Sequence, residues 1–196
     1  MRHEARVPPI TRPLVLVRHG ATEPNLAGLR CGGDLDVPLT ELGRQQAVQA
    51  ALRVRELGYP VGVIVASHLQ RTQETALIMS RLLDNIEVVI EPAFAERRLG
   101  AWNLKPLAET EAALVSRATP PGGEPDAAFL DRITTAVHHV LMPRLVQQPM
   151  LVGSKGIARA FRELLGMGAT KGLSNGELLL LDLATLAGHD MIGCHA

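Results

Sequence analysis

The sequence predicts an α/β fold: a three-layer α/β/α sandwich around a mainly parallel sheet. Three observations carry this. Short apolar runs without polar alternation recur, as strands buried on both faces do. Segments with apolar residues at helical spacing lie between them. Three of the runs also end in chemically loaded residues, namely Arg18-His19, Ser67 with Arg71, and Ser154-Lys155. Open α/β sheets bind ligands beyond such carboxyl ends.

Residues 1–13, with Pro8, Pro9 and Pro13, read as a flexible lead-in, and residues 14–196 as a single domain. Leu14–Val17 is the first buried strand and stops at Arg18-His19-Gly20. Residues 21–38 form a loop rich in glycine, and Thr40 caps the next helix. In that helix Leu42, Ala47, Val48, Ala51 and Leu52 recur at helical spacing, and Gly58 with Tyr59-Pro60 ends it. Val61–Ala66 is a second strand, followed by a helix over residues 70–83 and a third strand over Glu87–Ile90. Residues 94–123 are irregular or partly helical and close with TPPGG. Residues 126–146 read as one helix, with Phe129, Ile133, Val137 and Leu141 on one face. Met150–Gly153 is the fourth strand, residues 156–165 the next helix, and Glu177–Leu183 the last strand.

The chain of 196 residues has 20 basic and 20 acidic side chains, so no global field draws it to nucleic acid or to an anionic membrane. Any attraction for an anion is local. Aromatics are only 3%, so aliphatic residues build the core. Cys31 and Cys194 fit no metal spacing and no disulfide framework, which suits a reducing cytoplasm. No apolar run has the length of a signal peptide or a membrane span. There is no phosphate-binding GxxxxGK[ST] loop, no paired-histidine helix motif and no carboxylate cluster. No metal or nucleotide cofactor is therefore expected.

A histidine at a strand's carboxyl end beside an arginine suits attack on an anionic centre. The neutral imidazole is the nucleophile, and the guanidinium neutralises and orients phosphate oxygens. Taken alone, Arg18-His19-Gly20 also fits a turn histidine next to a surface arginine.

The rest of the chain decides between these. RHGATEPN followed by GGDLDVPLTELGRQQA, with Asn25, Arg30 and Gly33 in step, resembles the histidine phosphatase superfamily, also called phosphoglycerate-mutase-like. SHLQRTQETA (67–76), AERRLGAW (95–102), TPPGGEP (119–125) and LSNGELLLLDL (173–183) resemble its later elements, in the same order. The resemblance implies that His19 is transiently phosphorylated and that Arg18 and Arg71 clamp the phosphoryl group. It implies that Asn25 donates to a phosphate or leaving-group oxygen. Glu96 would protonate the leaving oxygen and then deprotonate the attacking water. The substrate is then a small phosphorylated molecule, with inorganic phosphate as product and the chain either a monomer or a homodimer. The short segment between Trp102 and Pro120 disfavours a mutase, since mutases carry longer insertions there.

One stretch departs from the pattern. Where the family reads V-S-H-G-G-x-I-R, this chain reads Val152-Gly153-Ser154-Lys155-Gly156-Ile157-Ala158-Arg159. Ser154 thus stands where the resemblance places a second histidine, a donor to a non-bridging phosphate oxygen. A charge-assisted bond contributes roughly 1.5–3 kcal/mol and a neutral one about 0.5–1.5. Loss of one preorganised donor costs on the order of 10²–10³ in turnover. Lys155 either swings back toward the phosphate or stands as an exposed turn lysine. Two readings follow: a phosphomonoesterase with impaired or altered activity, and a pseudophosphatase that binds a phosphorylated ligand. A structural role for the fold alone is weaker. His68 is placed near the site. His138, His139, His189 and His195 need no role, and Trp102 and Phe129 are expected to pack. Substrate specificity is expected to lie in residues 94–123.

Overall fold

The computed structural model describes residues 13–168 and 172–183, together with residue 186. Its strands are β1 (Pro13–Arg18), β2 (Val63–Ala66), β3 (Val88–Ile90), β4 (Pro149–Gly153) and β5 (Leu178–Asp182). They form one sheet in the order β3-β2-β4-β1-β5. β1 to β4 are parallel, and β5 lies antiparallel on β1 as an edge strand. The helices are α1 (Glu23–Leu26), α2 (Glu41–Glu56), α3 (Gln70–Leu82), α4 (Leu107–Val115), α5 (Asp126–Ala136) and α6 (Lys155–Leu164).

The two-residue period of a strand divides β1 between two cores. Leu14 and Leu16 pack with Phe129 and Ile133 of α5 and Ile157 and Phe161 of α6. Val15 and Val17 pack with Ala50, Ala51 and Val54 of α2 and Ala76 and Met79 of α3. Helices therefore cover both faces, which is why the strands show no polar alternation. Phe129, Ile133, Val137 and Leu141 are all buried, as their spacing requires.

Three expectations change. On α2 the buried stripe is Ala47, Ala50, Ala51 and Val54, while Leu42 and Leu52 are exposed. Small side chains let α2 lie close to the sheet, and the two leucines fall outside their i, i+3, i+4, i+7 arc. The helix expected over 126–146 is α-helical only to Ala136. It continues as a π turn over Val137–Leu141 and a 3₁₀ turn over Met142–Gln147. Pro143 explains this, because its ring has no N–H to donate and crowds the carbonyl four residues back. β1 begins at Pro13, a strand's first residue being where proline is tolerated. The lead-in over residues 1–12, Cys194, His189 and His195 lie outside the described residues. Among the described residues no helix is long and apolar enough to cross a membrane.

Candidate active site

The parallel register brings three strand ends to one level. Arg18 pairs with Gly153, and Ala66 with Val152. The His19 N–H donates to the Gly153 carbonyl at 2.9 Å. His19 and Ser154 are thus next to each other, each one residue past a neighbouring strand, and strands lie about 4.8 Å apart.

The turn after His19 is held by α2 and α3. The Gly20 N–H donates to Thr75 Oγ1 at 3.2 Å, and the Ala21 N–H to Gln46 Oε1 at 2.8 Å. Thr40 Oγ1 accepts from the Gly43 N–H as the cap of α2 and donates to the Ala21 carbonyl. A Cβ on Gly20 would meet the Gly43 carbonyl oxygen at 2.1 Å, so this crossing admits only glycine. Asp36 accepts from the Gln70 N–H at the start of α3, the helix that carries Arg71.

His19 is 4% exposed, and its Nδ1 lies 2.8 Å from the Gly20 carbonyl oxygen. A carbonyl only accepts, so Nδ1 carries the hydrogen and Nε2 keeps its lone pair. Burial, then the charges of Arg71 and Arg18, hold the imidazole well below the usual histidine range. The bond to Gly20 opposes this more weakly. The ring is therefore neutral, with the Nε2 lone pair available.

Arg71 is fully buried. Its Nη1 donates to the Leu35 carbonyl at 2.8 Å and its Nη2 to the Gly32 carbonyl at 3.0 Å, while Nε has no partner among the described residues. Arg18 Nη1 donates to the Leu173 carbonyl at 2.6 Å, and its Nε is likewise buried and without a partner among the described residues. Burial works against the Arg18 charge; Glu96 supports it and Arg71 opposes it. Among the described residues neither arginine has a carboxylate in ion-pair contact. Two such cations beside a neutral histidine form a site for an anion, since an uncompensated buried charge costs several kcal/mol.

Asn25 lines the cavity above His19. Its Oδ1 accepts from Asn175 Nδ2 at 3.1 Å, and the same Nδ2 donates to the His19 carbonyl at 2.9 Å. That leaves the Asn25 amide nitrogen free to donate. Sequence reasoning gave Asn175 no role; its place ahead of the last strand was the available signal. Glu96 Oε1 accepts from the Arg97 N–H at 2.7 Å and Oε2 from the Gly156 N–H at 2.9 Å, so the carboxylate is fixed at the start of α6.

A cavity of about 630 Å³ opens here, and Arg18, His19, Asn25, Arg30, Glu96 and Lys155 line it. Arg71 and Ser154 are buried and are not among the residues that line it, and Ser154 Oγ has no partner among the described residues. Arg30 is committed to α4, with Nε donating to Thr110 Oγ1 at 2.7 Å and Nη2 paired with Glu111. Its bonds thus make it a tether for that helix. Lys155 is exposed and runs along Gly172. From residues 94–123, Leu99, Leu107, Leu114, Val115 and Arg117 reach the cavity wall.

Cys31 is also in the wall, but burial pushes its thiol up, away from nucleophilic use. His68 and His139 are exposed, and His68 does not line this cavity. Trp102 and Phe129 are buried, as expected of packing residues.

Residues 14–184 match the sequence profile of the histidine phosphatase superfamily (branch 1). A 2,3-bisphosphoglycerate-dependent phosphoglycerate mutase of Bartonella henselae is 30% identical over 89% of this chain and 88% of its own. A glucosyl-3-phosphoglycerate phosphatase of Mycolicibacterium vanbaalenii is 37% identical over 66% of this chain and 60% of its own. The solved structure of a mycobacterial glucosyl-3-phosphoglycerate phosphatase in complex with VO₃ superposes with a TM-score of 0.74. It is 28% identical and covers 86% of this chain and 90% of that one.

Proposed function

The chain belongs to the histidine phosphatase superfamily, branch 1, and we propose that it is a phosphomonoesterase acting through a phosphohistidine at His19. One observation carries this: a buried, neutral His19 with its Nε2 lone pair available lies beside Arg18 and Arg71, two cations without carboxylate partners among the described residues.

In the first step Nε2 attacks phosphorus and the bond to the leaving oxygen breaks. Arg18 and Arg71 hold the equatorial oxygens, and Asn25 donates to one of them. Glu96, as the acid, gives its proton to the leaving oxygen. In the second step Glu96 takes a proton from water, the hydroxyl oxygen bonds to phosphorus, and the P–N bond breaks. Phosphate leaves and Nε2 regains its lone pair. No metal takes part in this reading. The substrate is a small phosphorylated molecule and the cytoplasm the expected setting.

Ser154 sets the rate. It offers one neutral donor where the family pattern has a histidine, so turnover is expected to be about 10²–10³ below that of an intact site. Relatives include mutases as well as phosphatases. The short segment holding α4 favours hydrolysis over a mutase cycle, which must hold its intermediate away from water.

The buried Ser154 Oγ, without a partner among the described residues, favours a second reading, a pseudophosphatase that binds phosphate esters without turnover. A steady-state assay on an aryl phosphate compares the parent with Ser154→His and His19→Ala. Parent activity that vanishes in His19→Ala excludes the pseudophosphatase. A silent parent with strong gain in Ser154→His excludes native turnover.

A further inference from the structure

α6 has two faces. Ile157, Ala158, Ala160 and Phe161 are buried in the core, while Lys155, Gly156, Arg159, Arg162 and Glu163 line the cavity. Among the described residues, seven cationic side chains and three carboxylates line that cavity. The carboxylates are largely spoken for. Glu111 pairs with Arg30, Glu163 pairs with Arg117 and Arg159, and Glu96 accepts from two backbone N–H groups. Arg97 and Arg159 are held by the buried Asp126. Two cations remain. Among the described residues neither the Lys155 nor the Arg162 side chain has a hydrogen bond or an ion pair, and the Arg162 Nε is buried without a partner. They stand at i and i+7 of one helix, about 10 Å apart along its axis. Leu107 and Leu114 of α4, with Val115 and Met167, supply apolar wall to the same cavity.

The geometry points to a second anion subsite, with Arg162 as its anchor and Lys155 two turns away on the same helix face, its long stem able to reach toward it. It is separate from the Arg18–His19–Arg71 pocket and is reached across the apolar wall. Resting on the phosphatase reading, this names the ligand class: a phosphomonoester with an apolar middle and a second anionic group. A carboxylate or a phosphate meets the same chemistry. A guanidinium fork with an unmet Nε–H binds either, and Lys155 adds a mobile point charge. An aryl phosphate whose ring carries no second charge leaves Arg162 unsatisfied.

Calorimetric titration with non-hydrolysable probes tests this without needing turnover. The probes are phenylphosphonate, para-carboxyphenylphosphonate and para-phenylenebisphosphonate, and the proteins are the parent, Arg162→Ala, Arg162→Lys and Arg81→Ala. In the parent, at least one second anion tightens binding about tenfold or more over phenylphosphonate. Which probe gains more separates carboxylate from phosphate. The ratio falls to near one in Arg162→Ala, recovers in part in Arg162→Lys, and is unchanged in Arg81→Ala, which removes an exposed charge elsewhere. A ratio near one in the parent overturns the subsite. So does a ratio unchanged in Arg162→Ala, or one lost equally in Arg81→Ala, which would report a diffuse field. If inorganic phosphate and phenylphosphonate both fail to bind the parent, the phosphate pocket itself falls, and the subsite with it.

Discussion

Ser154 stands directly beside His19. Each is the first residue past neighbouring parallel strands, and the His19 N–H donates to the carbonyl just before Ser154. Ser154 Oγ is buried and bonds to nothing among the described residues. A buried hydroxyl without a partner weakens the empty protein, so its only gain lies in meeting an anion. Ser154→Ala is therefore expected to unfold at the same or slightly higher denaturant concentration without phosphate. It should bind phosphate about two- to tenfold more weakly. Paired denaturation and calorimetry measure both. A clear loss of stability with unchanged phosphate affinity would contradict the assignment.

Asn175 acts through others. Its Nδ2 holds the His19 carbonyl and the Asn25 Oδ1. Asn175→Ala frees Asn25 to turn and should lower kcat/KM or phosphate affinity about tenfold. Asn175→Asp, which cannot donate, should be at least as impaired, whereas an Asp that matches the parent would remove the positioning role.

The pH dependence of stability carries the sign of the His19 environment. Its folded form resists protonation, so as pH falls through the ordinary value of 6.5 the unfolded chain takes up the extra proton. Folding therefore loses stability below that value and is unaffected by this group above it. His19→Gln should gain on the parent at about pH 5 relative to about pH 8. A parent-to-variant difference that does not change with pH contradicts the buried, neutral ring.

Asp126 is a buried carboxylate that accepts from Arg97 and Arg159 and lies near Arg117. Asp126→Asn leaves buried guanidinium charge uncompensated and should cost about 3–5 kcal/mol, read as a fall in denaturation midpoint at constant slope. A change under about 1 kcal/mol would make the cluster a surface feature.

Much of this was legible in the chain because local rules and tertiary packing agree. Leu14–Val17 is apolar on both faces because helices cover both, and Arg18-His19 lies where such strands open. Thr40 caps α2 as its position suggests. The failures have causes that the periodicity does not carry. Leu42 and Leu52 fit a helical pattern, but the sheet selected the alanine face of α2. Pro143 acts on the turn before it and unwinds the end of a convincing helical stripe. Arg30 keeps step with the family resemblance, yet its guanidinium is taken by α4, a partner 80 residues away. Asn175 supports His19 across 156 residues, a pairing that no local pattern encodes.

The central claim is that His19 accepts the phosphoryl group. Brief mixing with a radiolabelled phosphomonoester, followed by denaturing quench, tests it most directly. The parent, or Ser154→His if the parent is slow, should carry an acid-labile, base-stable label on His19 that is absent from His19→Ala. A label that persists in His19→Ala, or turnover in Ser154→His with no label on His19 at any time, would contradict it.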